Sequence, residues 1–170
     1  MRGQVDILWI LSNICADGIE PIQKVLATEL PDKLMTVVSE DEEALRLEGM
    51  YCLKNMVYLA TQDQIQTLVS KNIIESILVN LESCHEPKLI EVTLETLSKI
   101  LHFGNLLIKP GGRIKLNPYA KRAYESPAAI FIEMLQDHKN ETIYELVDEL
   151  IDTFFNPLIK QSETELVMKE

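Results

Sequence analysis

Leu8-Trp9-Ile10-Leu11-Ser12-Asn13 is answered 42 residues later by Met50-Tyr51-Cys52-Leu53-Lys54-Asn55. In each stretch an aromatic and an Asn stand four residues apart, Trp9 with Asn13 and Tyr51 with Asn55. Four residues is about one α-helical turn, so each pair shares a helix face. Asn is a poor helix former and needs a reason to sit mid-helix. One such reason is a groove for an extended peptide. There the amide hydrogen-bonds the peptide backbone, and the aromatic takes a long basic side chain by cation–π contact. A lone Trp on an amphipathic helix reads first as core. The Asn one turn on, and the second copy of the pair, turn that reading toward a groove on a helical repeat.

The rest of the chain supplies the repeat. Gln4 to Ala16 reads as a helix with Ile7, Leu8, Leu11, Ile14 and Cys15 on an apolar stripe, and Gly18 follows as a C-terminal cap. A short helix from Pro21 to Ala27 comes next. A second, opened by Pro31, turns Leu34, Met35, Val37 and Val38 inward. The acidic run from Ser39 to Glu43 is a solvated junction, and a long helix extends from about Glu43 to Ala60. The rhythm of short, short and long then recurs as Gln62 to Ser70, Ile73 to Leu81, and Pro87 to about Phe103, closed by Gly104. Lys109 to Asn117 interrupts it with a Pro110-Gly111-Gly112 turn. Helices around Tyr119 to Glu125, Ala128 to Gln136 and Glu141 to Phe155 follow. Pro157 ends the run, and Gln161 to Glu170 is a polar, frayed tail. No segment alternates like a strand. Three helices per unit point to armadillo rather than two-helix HEAT repeats.

The 170 residues are 46% hydrophobic and 25% charged, as in a folded protein. No apolar run reaches the roughly 18 residues of a membrane span, and the N-terminus is a poor signal peptide, so the expected location is cytosol or nucleus. The net charge of −11 disfavours direct nucleic-acid binding and suits a basic partner. The three cysteines, Cys15, Cys52 and Cys84, are odd in number and widely spaced, which argues against a disulfide framework. Cys15 and Cys52 read as small core groups.

Nothing supports catalysis. His85, His102 and His138 are isolated, with no metal-ligand spacing, so neither metal nor cofactor is expected. Ser12, Ser39 and Ser126 have no nearby His and no nucleophile elbow. The Gly-rich loop lacks a Gly-Lys-Ser/Thr and a preceding strand, so it is no phosphate cradle. Tyr119, Tyr124, Phe131, Tyr144, Phe154 and Phe155 read as packing of the terminal repeat.

These stretches resemble a known family in order along the chain. Leu8 to Ile14 is similar to the third helix of an importin-α armadillo repeat, and Glu48 to Asn55 to the next third helix with Tyr in place of Trp. Gln62 to Val69 with Ile73-Ile74 resembles the entry into a further repeat. Lys88 to Val92 and His138 to Tyr144 resemble the last two repeats. The similarity spans roughly residues 5–155 and matches the C-terminal portion of the family.

The resemblance implies an all-α, right-handed superhelical armadillo solenoid: a leading third helix and about three repeats over 19–60, 61–107 and 117–157, with a flexible tail over 158–170. It implies a groove for basic nuclear localisation signal peptides on the third helices, serving nuclear import between cytoplasm and nucleus. Trp9 and Tyr51 would flank Lys or Arg stems, Asn13 and Asn55 would hold the peptide backbone, and Asp6 and Glu48, one turn before each aromatic, would meet the basic heads. The last repeats, around 117–155, would face the family's export receptor. This sequence also departs from the family. Glu95 and Lys99 stand at the third aromatic and Asn positions, so the groove is expected to end after two rungs. Ala60 replaces a usual Gly, and the Lys109 to Asn117 insertion is atypical. The stripe containing Leu8 and Leu11 has no preceding repeat to cover it, which suggests a fragment, a truncated gene product, or a subunit whose N-terminal end docks on another chain. A scaffold subunit with a degenerate groove is therefore the alternative to a peptide receptor.

Overall fold

A computed structural model describes residues 2–40, 42–83 and 86–167. Cys84 and His85, and Asp41 of the acidic junction, lie outside them. Eleven α-helices follow one another, with no strand among the described residues. They are α1 (Arg2–Ala16), α2 (Ile19–Leu26), α3 (Leu30–Glu40), α4 (Glu43–Leu59), α5 (Gln62–Ser70), α6 (Ile73–Ser83), α7 (Pro87–Asn105), α8 (Pro118–Tyr124), α9 (Ala129–Met134), α10 (Glu141–Leu150) and α11 (Asn156–Val167).

The helices stack by type. The long ones form a row, α1 on α4, α4 on α7 and α7 on α10. The second members form a parallel row of α3, α6 and α9; of the first members, α2 packs on α5, while α8 packs on α6 and α7 and reaches α5 through Arg122. The core runs between the rows. Met50, Cys52, Leu53, Met56 and Val57 of α4 are fully buried, as are Leu89, Leu94, Leu97, Ile100 and Leu101 of α7. Gly49 lets α3 and α4 approach closely, since a Cβ there would meet Val38 at 2.8 Å.

Polar side chains join neighbouring units. Thr61 and Gln64 form a reciprocal capping box on α5. Gln64 then donates through Nε2 to the Ile19 carbonyl at 3.0 Å, fixing α5 on α2. Arg122 of α8 pairs with Glu75, donates to the Val69 carbonyl at 2.9 Å, and meets Asn72 Oδ1 at 2.6 Å. On the far side, Glu91 of α7 accepts from Lys88 Nζ at 2.8 Å and from Asn140 Nδ2 at 3.3 Å. Asn140 Oδ1 in turn caps α10 by accepting from Thr142 N and Ile143 N.

Several sequence-based expectations need correction. Ile7 and Ile14 are exposed rather than inward, because α1 packs on α2 and α4 and turns Val5, Leu8, Leu11 and Cys15 toward the core. Gly18 serves both ends of its link: with φ +120° it follows α1 and is also the N-cap residue of α2. Gly104 does not close α7, which runs on to Asn105. It is glycine because a Cβ would meet Asn117 Oδ1 at 2.0 Å. Ala60 is extended, with φ −69°, so no glycine is required there.

Pro157 does not end the last helix. A π-helical turn over Ile151–Phe155 widens the backbone before it, with Asn156 N bonded to the Ile151 carbonyl. Pro157, without an N–H, then sits in the first turn of α11. Helix therefore continues to Val167 where the sequence suggested a flexible tail, and Leu158 is buried.

Asn117 holds the end of the insertion. Its Nδ2 donates to the Leu101 carbonyl at 2.7 Å and to Asn105 Oδ1 at 2.8 Å. Its Oδ1 accepts from Tyr119 N and Ala120 N, both at 3.0 Å. Asn117→Ala loses the α8 cap and the side-chain bonds to the Leu101 carbonyl and Asn105, for an expected loss of about 2 kcal/mol. Gly104→Ala should destabilise the native chain yet be tolerated in Asn117→Ala, where the clash is gone and helix propensity favours Ala. Urea unfolding of the four proteins checks this, and additive effects would contradict the packing.

The Glu91 carboxyl is held below the usual carboxylate range by the hydrogen bond and charge of Lys88, helped by Asn140. A depressed folded value means its contribution is present above the unfolded value and fades as pH falls through the folded one. The stability gap between the native chain and Glu91→Gln should therefore close on acidification. Denaturant melts from neutral to acid pH check the sign.

Candidate peptide groove on the third helices

The faces of α1 and α4 that point away from the core carry the two rungs. Trp9 is 62% exposed and Asn13 is exposed beside it, one turn on. Tyr51 is half-buried and leans on the core, leaving part of its ring accessible. Asn55 Nδ2 donates to Ser12 Oγ at 2.9 Å, which locks the two helices in register and places the two rungs side by side. Asp6 is exposed and Glu48 half-buried at the acidic positions. The six residues thus lie on adjacent turns of two packed helices. Beneath them Cys15 and Cys52 are buried against each other, and the contact with Cys15 together with burial raises the Cys52 thiol.

The next rung is occupied by the chain itself. Lys54 Nζ lies 2.5 Å from Glu95 Oε2, joining α4 to α7. Tyr58, one turn past Asn55, receives Lys54 Nζ and Lys99 Nζ, each 5.5 Å from its ring centroid. Lys99 Nζ is also 5.6 Å from the centre of Phe103. Lys54, Tyr58 and Phe103 were not among the sequence-predicted residues. Their one available signal is helical spacing, since Tyr58 and Phe103 fall one turn beyond Asn55 and Lys99.

Tyr144 corrects another expectation. It is 44% exposed rather than packed inside. It lies one turn beyond Asn140, whose side chain bonds Glu91 of α7. Tyr119, Phe154 and Phe155 are buried as read, and Tyr124 and Phe131 are half-buried against the core. His102 stacks edge-on to Phe154 with centroids 4.9 Å apart, and His138 Nδ1 accepts from Asn140 N. Among the described residues no helix is long and apolar enough to cross a membrane.

The comparisons with known proteins bear on this arrangement. No protein-family model matches the chain. It is 27% identical over 147 residues to importin subunit alpha-4 of Arabidopsis thaliana, covering 86% of this chain and 27% of that one. It is 23% identical over 150 residues to importin subunit alpha-1 of Caenorhabditis elegans, covering 88% and 28%. It is 35% identical over 95 residues to importin subunit alpha-3 of Arabidopsis thaliana, covering 56% and 18%. The match therefore spans between about a fifth and little more than a quarter of the length of these curated relatives. Among solved structures, a designed armadillo repeat protein in complex with the peptide (KR)4 superposes with TM-score 0.54 at 17% identity, covering 88% of this chain and 74% of that one. A computationally designed armadillo repeat protein for modular peptide recognition gives TM-score 0.51 at 17% identity, covering 85% and 72%. The fold is an all-α armadillo solenoid. Within that class the chain is an importin-α-like armadillo protein.

Trp9 is the sole tryptophan, so its fluorescence reports the groove alone. Its exposure predicts a red-shifted emission that acrylamide quenches nearly as well as free indole. A blue-shifted, protected emission would place the ring in the core.

Proposed function

We propose that this chain is a non-enzymatic peptide-binding solenoid that takes a short basic segment, extended, across α1 and α4. One observation carries the reading. The exposed Trp9 with Asn13 is repeated as Tyr51 with Asn55, and the Ser12–Asn55 hydrogen bond holds the pairs in register. In this reading Trp9 and Tyr51 flank the aliphatic stem and charge of a Lys or Arg. Asn13 binds the peptide backbone, and Asn55 adds the carbonyl oxygen not used by Ser12. Asp6 and Glu48 attract the basic heads. The repeats are 19–60, 61–107 and 117–157.

The sequence similarity to importin subunits alpha, and the fold shared with a designed protein bound to (KR)4, support a basic peptide as the ligand. The corresponding cargo is a nuclear localisation signal, with the chain working in cytoplasm and nucleus and residues 117–155 facing an export receptor. Binding is expected to weaken with salt, because exposed charge pairs are screened.

A second reading has its own observation. Ile7, Leu8 and Leu11 of α1 and Leu30, Leu34 and Val37 of α3 line an apolar groove. One unit further on, α3 itself packs against both α4 and α6, the corresponding position. A helix like α3 from another chain fits this groove, and the protein is then a scaffold subunit. Sedimentation separates the readings: a monomer at all concentrations favours the receptor, and association favours the scaffold.

The direct test is fluorescence anisotropy with a labelled basic peptide at low and physiological salt. Trp9→Ala and Asn13→Ala should each weaken binding, Trp9→Ala by about tenfold, or 1.4 kcal/mol. Unchanged affinity in both variants would refute the groove.

A further inference from the structure

We infer that Lys99, seated over Tyr58 and Phe103, closes the basic-peptide groove after its second rung and makes the third rung select a neutral or acidic peptide residue. The inference rests on the peptide-binding reading above and deepens it by assigning a specificity-determining residue.

Three observations combine. The first is that the aromatic faces at this rung are already in use. Lys99 Nζ stands 5.5 Å from the Tyr58 centroid and 5.6 Å from that of Phe103, so one ammonium is shared by rings on two helices. Such contacts are the ones a basic peptide side chain would seek. The second is that the acid at this rung is also in use. Glu95 pairs with Lys54 at 2.5 Å, with side-chain exposures of 32% and 28%, so the pair is partly shielded from solvent. The third is that the position of the peptide-holding amide carries a cation. Lys99 takes the place in α7 that Asn13 and Asn55 take in α1 and α4, and among the described residues no carboxylate forms an ion pair with it.

A peptide Lys or Arg reaching this rung must displace a tethered lysine that occupies the same rings at high effective concentration. It must also rest beside the ammonium of Lys99, which no carboxylate among the described residues pairs, since the charge of Lys54 is already met by Glu95. A carboxylate or a neutral side chain meets neither obstacle, and a carboxylate gains the ammonium of Lys99. The chain thus fills its own third rung with the chemistry of the ligand.

Three labelled peptides test this, sharing a Lys-Arg core and carrying glycine, lysine or glutamate flanks on both sides. The quantity read is the affinity for the lysine-flanked peptide relative to the glycine-flanked one, and likewise for glutamate. Lys99→Ala should raise the lysine ratio by about two- to fivefold and lower the glutamate ratio. Lys99→Glu should do more of both, whereas Lys99→Arg, which keeps the cation, should keep the native ratios. Tyr58→Leu, which releases Lys99 from one ring without removing its charge, should leave the glutamate ratio near native. If the glycine-flanked peptide binds and Lys99→Ala leaves both ratios unchanged, the inference is overturned while the receptor reading stands. If no peptide binds the folded chain, the receptor reading fails and this inference with it.

Discussion

Everything in this molecule depends on the row in which each long helix packs on the next. No long helix here buries its apolar stripe alone. α4 places Met50, Leu53 and Met56 in a dry core only because α1 lies on one side of it and α7 on the other. Each packed interface removes apolar surface worth about 25 cal/mol per Å² from water. The interface between one unit and the next is therefore also the term that stabilises each unit. The same constraint sets the groove. Once two flanks of a third helix are packed, its remaining strip is forced outward. Residues four apart along α1 and α4 then line up into rungs.

Register between the helices turns that strip into a site, and here small polar contacts act where apolar packing does not discriminate. A sliding motion of α1 along α4 would preserve much of the buried area, yet it would break the Ser12–Asn55 hydrogen bond. Lys54–Glu95 fixes α4 against α7 in the same way, and Asn140–Glu91 fixes α7 against α10. These pairs are individually modest, since partly exposed ion pairs contribute about 0–1 kcal/mol. Their effect lies in selecting one register among several of similar burial.

The 42-residue offset and the aromatic–Asn spacing made the helices and their grouping readable from the chain, and the Ser12–Asn55 bond brings the two helices that carry those pairs together. Both features are local periodicities of one helix. What escaped the reading depends on neighbours. Ile7 and Ile14 belong to the apolar stripe of α1 by periodicity, but a stripe is buried only where a partner covers it. Gly104 looked like a cap, although its reason is the Asn117 side chain thirteen residues away. Pro157 looked like a terminator because nothing local announces a π turn that accommodates it. Tyr144 looked like core because it is a large aromatic in the terminal repeat, but α10 turns Ile143, Val147 and Leu150 inward and leaves Tyr144 exposed. Lys99 was legible as a missing Asn, while its seat over Tyr58 and Phe103 needed two helices at once.

Two open rungs also bound what the groove can do alone. An exposed cation–π contact contributes about 0.5–1 kcal/mol, and a net hydrogen bond about 1 kcal/mol. Two of each give only a few kcal/mol, while association of a flexible peptide costs at least about 4 kcal/mol in lost freedom. The long-range attraction of a net charge of −11 for a basic segment assists encounter, but salt screens it. A groove of this size therefore holds its ligand strongly only when a second contact on the same ligand makes its own binding intramolecular. In the peptide-binding reading proposed above, closing the third rung with Lys99 has a physical consequence beyond the loss of one contact. It keeps the site short, so that affinity comes from what is linked to the peptide rather than from the length of the basic run.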